Sequence, residues 1–256
     1  MNWNEKIVFL TGASSGIGEG LAIAIAKNGG TVCLIARREP ELERIALLCE
    51  NAGGTARIFP CDVTDADALR NAANSVREEF GRIDILIANA GVGGSTDKDK
   101  YLLPEVVKSV IDINLLGSTN SIAAVLPEML ERENGHLVAI SSLAGFRGLP
   151  RSAAYSASKA GMTAFFESVR LDVQARGVAV SIIQPGFIKT PLTSGRGNKM
   201  PYLMELDYAV ERILRSIEGK AKFDAFPWQL AWLVKIGQLF PVWLYDRIAV
   251  GAKYRV

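Results

Sequence analysis

A tyrosine and a lysine stand four residues apart in AAYSASKAG, residues 153–161, as Tyr155 and Lys159. On a helix that spacing puts both side chains on one face. A phenol ordinarily loses its proton near pH 10, and each unit of downward shift corresponds to roughly 1.4 kcal/mol of preference for the charged form. An ammonium group beside a tyrosine is therefore what proton transfer by a phenol near neutral pH requires. The spacing alone is weak, because six tyrosines and twelve lysines in 256 positions yield roughly 0.3 such pairs by chance. The surroundings of the pair have to decide its meaning.

Those surroundings alternate short apolar runs with helix-length segments. KIVFL (6–10), TVCLIA (31–36), ARIFP (56–60), RIDILIA (82–88), HLVAIS (136–141) and VAVSIIQ (178–184) read as strands, and several are apolar on both faces, as parallel strands covered on both sides must be. Segments 17–28, 40–52, 65–80, 104–131 and 152–175 have helical length and pattern. The repetition predicts an α/β fold: one Rossmann-type doubly wound parallel sheet with helices on both faces, in a single domain spanning 1–256. Ligands of such sheets bind beyond the carboxyl ends of the strands, so the irregular loops 91–101 and 185–201 are expected pocket walls.

The first strand runs into TGASSGIG, residues 11–18. Glycines at 12, 16 and 18 permit a tight turn, close backbone approach to a pyrophosphate, and close packing of the next helix, whose free N–H groups attract phosphate. Gly12, Ser14, Ser15, Gly16, Ile17 and Gly18 are thus candidate cofactor contacts, although the spacing is GxxxGxG and not the common GxGxxG. The second strand ends in Ala36, where an NAD site would place an acid, and is followed by Arg37 and Arg38. Guanidinium groups offer planar, charge-assisted hydrogen bonds to a ribose 2′-phosphate that a carboxylate would repel. NADP(H) is the expected cofactor, with Arg37 carrying most of the preference and Glu39 a modest counterargument.

At TGASSGIG the chain resembles the short-chain dehydrogenase/reductase family, whose opening motif is TGxxxGxG, and further marks follow in order. Asp62 and Val63 match a pair that the resemblance assigns to the adenine, and Asp65 reads as the cap of the following helix. ANAG (88–91) matches the family's NNAG except at Ala88, keeping Asn89, Ala90 and Gly91. Asn114 in DINLLGS matches the asparagine that in the family bends a helix and holds a water in a proton relay. Ser142 precedes Tyr155 by 13 residues, the family's serine-to-tyrosine interval. In PGFIKT (185–190), Pro185, Gly186, Ile188 and Thr190 match the segment that meets the nicotinamide carboxamide, and 191–205 would form a substrate lid.

The resemblance implies an oxidoreductase that interconverts a ketone and a secondary alcohol. Asn114, Ser142, Tyr155 and Lys159 would form its catalytic set: Ser142 holding the carbonyl oxygen, Tyr155 exchanging the proton, and Lys159 supplying the charge and a bond to the nicotinamide ribose. It also implies a homodimer or homotetramer built on long helices such as 104–131 and 152–175. A non-enzymatic NADP-binding regulator on the same fold is the alternative, disfavoured because such a protein has no need of the intact set.

Composition narrows the field further. Twenty-nine basic against 27 acidic residues leave a formal charge of +2, without the broad basic surface that nucleic acids need. Cys33, Cys49 and Cys61 are odd in number and lack CxxC spacing, so buried apolar thiols in a reducing cytosol are expected. His136 is the sole histidine; it reads as a surface residue, which leaves no base for a serine hydrolase, and no histidine–carboxylate cluster suggests a metal. The first strand begins by Lys6, so no export signal is expected and the protein reads as cytoplasmic.

The carboxyl end departs from the family pattern. Residues 223–256 read as an apolar extension with three of the four tryptophans, Trp228, Trp232 and Trp243. Its apolar runs 225–234 and 236–245 are too short and too broken to span a bilayer. Two readings stand: a wall of a pocket for a hydrophobic substrate or a subunit interface, and a helix in peripheral contact with a membrane.

Overall fold

The computed structural model describes residues 1–94, 100–194 and 200–251. Residues 95–99 and 195–199, inside the two loops expected to wall the pocket and the second also inside the expected lid, and 252–256, the end of the apolar extension, lie outside the described residues.

Strands β1 (Ile7–Thr11), β2 (Thr31–Ala36), β3 (Thr55–Pro60), β4 (Ile85–Ala88), β5 (Gly135–Ile140), β6 (Val178–Pro185) and β7 (Phe223–Phe226) form one sheet in the order β3-β2-β1-β4-β5-β6-β7. Every neighbouring pair is parallel. The helices are α1 (Gly16–Lys27), α2 (Glu39–Asn51), α3 (Ala66–Phe80), α4 (Pro104–Ile111), α5 (Gly117–Glu131), α6 (Ala153–Val173), α7 (Leu206–Glu218), α8 (Trp228–Gln238) and α9 (Val242–Gly251). The chain is the doubly wound α/β fold that its alternating pattern predicts.

Two cores explain why the strands are apolar throughout. Successive side chains point to opposite faces. Val8 and Leu10 of β1 and Val32 and Leu34 of β2 meet Leu21 and Ile25 of α1, Leu42 of α2 and Ile213 of α7 on one face. Phe9, Cys33 and Leu86 meet Leu69 of α3, Val125 of α5 and Phe166 of α6 on the other. Asp65 caps α3 as expected, accepting from the N–H groups of Asp67 and Ala68.

Strand order reverses between β1 and β4, which are paired although β2 and β3 intervene in the chain. Loops leaving these two strands therefore diverge and open a crevice at the carboxyl edge.

Two departures from the sequence reading concern the site. The segment expected as one helix, 104–131, contains a five-residue π-helical turn, Asp112–Leu116, between α4 and α5. By length and composition Pro104–Glu131 could cross a membrane, but Ile122, Val125 and Met129 are packed into the core beneath the sheet. The second departure is β7, which opens the segment read as an apolar extension and pairs along β6 from Ile182↔Phe223 to Pro185↔Phe226. Four residues with an exposed Phe223 carry too short an alternation to mark a strand.

Candidate active site

The glycine turn after β1 is built by contact with the loop after β4. Gly12 and Gly16 adopt φ of 66° and 58°, the left-handed region open to glycine. A Cβ on Gly18 would lie 2.2 Å from the Gly12 carbonyl oxygen, so the turn closes only without a side chain there. Asn89 Nδ2 donates to the Thr11 and Gly12 carbonyls at 3.0 and 3.1 Å, and the Thr11 hydroxyl accepts from the N–H groups of Asn89 and Ala90 at 3.1 and 3.2 Å. Ser15 stands at the N-cap of α1 without a side-chain cap bond, leaving the first N–H groups of the helix to a ligand.

Beyond β2 the two arginines divide their work. Arg38 Nη2 donates to the carbonyl and hydroxyl oxygens of Ser14 at 3.1 and 3.0 Å. Arg37 forms an ion pair with Asp62 at 3.5 Å, the arginine side chain being well exposed and the aspartate half-buried. Burial opposes charge on the Asp62 carboxyl, but the N–H and hydroxyl of Thr64 and the Arg37 guanidinium outweigh it and hold the group below the usual carboxylate range. Val63 is buried against the helix that follows the π turn, where a Cβ on Gly117 would meet it at 2.5 Å.

Ser142, Tyr155 and Lys159 converge from β5 and α6. Ser142 follows β5 and caps the short 3-10 turn Leu143–Gly145; its Oγ accepts from the Ala144 N–H at 3.1 Å, which leaves its own O–H to be donated. That turn packs directly on α6, since a Cβ on Gly145 would lie 2.9 Å from the Lys159 backbone carbon. Tyr155 and Lys159 are buried on one face of α6. Lys159 Nζ donates to the Ile140 carbonyl at 2.8 Å and has the Met162 sulfur at 3.7 Å. Burial pushes the Lys159 amine from 10.5 down to about 8.

Asn114 sits in the middle of the π turn, fully buried. Its Oδ1 accepts from the Val92 N–H at 2.8 Å, and its Nδ2 donates to the Val92 carbonyl and the Ser158 hydroxyl, each at 3.0 Å. Ser158 in turn donates to the Tyr155 carbonyl at 2.8 Å. The side chain therefore ties the loop after β4 to α6, and π turns of this kind recur where a helix must be re-aimed at a functional site.

One cavity of about 780 Å³ joins these parts. Gly12, Ser14, Ser15, Gly16, Ile17, Arg37, Arg38, Asp62, Val63, Asn89, Ala90, Gly91, Ser142, Tyr155, Lys159, Pro185, Gly186, Ile188 and Thr190 all line it. Gly18 and Asn114 do not; they stand behind its wall. Of the expected lid, residues 191–193, 201 and 202 line the cavity, and an isolated bridge, Ile188↔Met204, with the Lys189–Glu205 ion pair ties its two ends together.

The sequence reading singled out neither Leu143, Arg147 and Leu149 after Ser142, nor particular residues of the extension as pocket residues. Leu230, Leu233, Val234 and Gly237 of α8, Phe240, and Tyr245, Ile248 and Ala249 of α9 line the same cavity. The extension is thus a pocket wall on its inner side, while Trp228, Trp232 and Trp243 are more than 60% exposed on its outer side. The apolar density of the extension is the only signal that could have pointed there.

Two side-chain expectations change. His136 is a core residue, not a surface one: it is 2% exposed, and its Nε2 shares a hydrogen bond with the Ser181 hydroxyl at 2.8 Å. It is the second residue of β5, a strand interior to the sheet, and burial followed by the Lys220 charge pushes its pKa from 6.5 down to about 4. Cys33 and Cys49 are buried as expected, but Cys61 is only half-buried and lines the cavity. Burial raises all three thiols, to about 12, 11 and 11 in chain order.

Similarity to known proteins follows the same geometry. The sequence model described as short chain dehydrogenase matches residues 6–201. An uncharacterized oxidoreductase of Myxococcus xanthus is 44% identical over 244 residues, covering 95% of this chain and 96% of that one. A metagenomic short-chain oxidoreductase solved in complex with NADP superposes with a TM-score of 0.74 at 29% identity, covering 88% of this chain and 96% of that one. An NAD+-bound xylitol dehydrogenase superposes with a TM-score of 0.79 over 88% of this chain and 98% of that one, at 24% identity, a likeness of fold.

Proposed function

Because the chain belongs to the short chain dehydrogenase family, an oxidoreductase family whose fold binds a nicotinamide cofactor, we propose that it is an NADP(H)-dependent enzyme interconverting a ketone and a secondary alcohol on a hydrophobic substrate. The observation that carries the reading is the single cavity running from the glycine turn and the two arginines, past Ser142, Tyr155 and Lys159, to an apolar wall of α8 and α9.

The residues present fit such a cofactor. Gly12 and Gly16 bring bare backbone to the cavity wall, Gly18 lets the turn close, the N-terminus of α1 faces the turn, and Arg37 and Arg38 offer the positive charge a 2′-phosphate requires. The weak, exposed Arg37–Asp62 pair costs little to rearrange, so Arg37 is the arginine available to that phosphate, while Arg38 braces Ser14. Bound there, the nicotinamide supplies or accepts the hydride. The Pro185–Gly186 turn with Ile188 and Thr190 bounds the part of the cavity suited to its ring.

The chain's own residues handle the oxygen and the proton. The Ser142 O–H donates to the carbonyl oxygen, on which negative charge grows as reduction proceeds. Tyr155 gives that oxygen its proton in reduction and takes it back in oxidation. Lys159, protonated below about pH 8, favours the phenolate through its charge. Asn114 would act by holding Val92 and Ser158, and with them the backbone beside Tyr155, in place.

The reading extends to a cytoplasmic homodimer or homotetramer, for which Leu116, Phe165 and Leu171 are exposed on the α5–α6 side, and the outward tryptophans of the extension are where a peripheral lipid contact would sit. The test is NADPH consumption against ketones of increasing chain length. Oxidation of NADPH that grows with the apolar length of the ketone supports the reading, and no turnover of any ketone or secondary alcohol with either nicotinamide overturns it.

A further inference from the structure

The far end of the cavity, beyond Tyr155, is apolar except at one place. Leu149, Leu233, Val234, Phe240 and Ile248 line it, and among them stand Arg147 and Tyr245. Arg147 is held rigidly. Its Nη1 donates to the Gly237 carbonyl and, at 3.3 Å, to the Phe240 carbonyl, and its guanidinium carbon lies 3.7 Å from the centre of the Tyr245 ring. Tyr245 is fixed in turn by donating its hydroxyl to the Gly148 carbonyl.

A guanidinium has five N–H donors in a planar fork. The contacts above use only Nη1 and one face, and among the described residues no carboxylate pairs with Arg147. The acid nearest in sequence to its ring partner, Asp246, is exposed and outside the cavity lining. Among the described residues, Asp62, which pairs with Arg37 beside Arg38 at the glycine-turn end, is the sole acid lining the cavity. The apolar end thus carries a fixed positive charge with unspent donors and, among the described residues, no carboxylate to meet it. A site of that chemistry discriminates by charge, because an anion both satisfies the fork and gains from the low-dielectric walls.

We infer that Arg147 is a specificity-determining residue that binds the carboxylate of a substrate whose body is an aliphatic chain, an oxo or hydroxy acid, with Tyr245 orienting the guanidinium. The inference rests on the oxidoreductase reading only for the word substrate; the binding site itself is independent of it.

The test uses decanoate and decan-1-ol, equal in chain length and differing in head group, titrated calorimetrically into the full chain at pH 7 in the presence of NADP+. Decanoate should bind at least tenfold more tightly than decan-1-ol. Arg147→Met should bring the two within about twofold, and Arg147→Lys should retain part of the preference. Gln238→Ala is the control for a merely loosened wall, since Gln238 Nε2 donates to the Phe146 carbonyl at 2.6 Å across the same junction without lining the cavity. It should keep the decanoate preference. Equal binding of the two probes by the unaltered chain, or loss of the preference in Gln238→Ala as complete as in Arg147→Met, overturns the inference. Absence of NADPH-dependent turnover would strike the oxidoreductase reading and leave this binding contrast standing.

Discussion

Arg38 reaches back 24 residues to grip Ser14, donating to its carbonyl and hydroxyl oxygens at 3.1 and 3.0 Å. Its neighbour Arg37 is committed only to a 3.5 Å pair with the half-buried Asp62. One arginine therefore shapes the glycine turn, and on the proposed reading the other is available to a bound nucleotide. Arg37→Asp should reverse the preference, weakening NADPH by about tenfold or more relative to NADH, as expected for loss of a charge-assisted hydrogen bond worth roughly 1.5–3 kcal/mol. Arg38→Ala should weaken both nucleotides together. Fluorescence titration of each variant with both cofactors checks the split, and an Arg37→Asp protein still favouring NADPH would refute the assignment.

Tyr155→Phe removes one oxygen and leaves the buried ring on α6. NADPH should bind the variant as it binds the parent, while turnover should fall by on the order of 10²–10⁴ or more, the range of general acid–base assistance. Near-normal turnover would sink the role of the phenol.

Lys159 carries a stability cost that its charge explains. In the fold its amine titrates near 8, while in the unfolded chain it titrates near 10.5. Between those values the unfolded chain binds the extra proton, so stability rises with pH through that window, and below about pH 8 the full cost is present. Lys159→Met removes the cost together with the hydrogen bond to Ile140. The variant should be inactive yet more stable at pH 7 by about 2 kcal/mol, with the advantage shrinking as pH rises from 8 towards 10.5. Urea unfolding at several pH values reads this directly; a variant less stable than the parent at pH 7 would contradict it.

A methyl group on Gly18 has nowhere to go, with the Gly12 carbonyl oxygen 2.2 Å and Asn89 Nδ2 2.7 Å from the Cβ position. Gly18→Ala should cost roughly 1–3 kcal/mol by overpacking and should abolish nucleotide binding, since the shift falls on the turn itself. Denaturant unfolding and cofactor titration measure the two effects, and retained NADPH affinity would show that the turn tolerates displacement.

The acid side of the stability profile should belong largely to His136. Its folded pKa of about 4 against 6.5 means that the unfolded chain takes up the proton first, so stability is lost as pH falls from 6.5 towards 4. Replacing it by Asn should flatten that arm of the profile, as read by thermal melts between pH 7 and 4; an unchanged slope would assign the acid sensitivity to the carboxylates.

What the chain alone determines is everything governed by local spacing. Short runs apolar on both faces and the helix-length segments between them specify six of the seven strands and a doubly wound α/β fold, and the glycines of 11–18 specify a tight turn between the first strand and the first helix. The Tyr155–Lys159 pair is legible because one helix face carries both, and Ser142 because it ends a strand 13 residues before Tyr155, the interval of the family the chain resembles.

Tertiary structure alone decided what depends on distant segments meeting. Nothing near Asn114 in the chain shows that its amide is spent on Val92 and Ser158, and nothing near His136 shows that β5 lies inside the sheet. Arg147 and Tyr245 are 98 residues apart, yet the extension after β7 folds back over the loop following β5 and makes them the polar corner of an apolar wall. The physical reason is that hydrophobic burial dictates which residues leave water but not which other residues they find there; the partners are chosen by strand order and helix crossing.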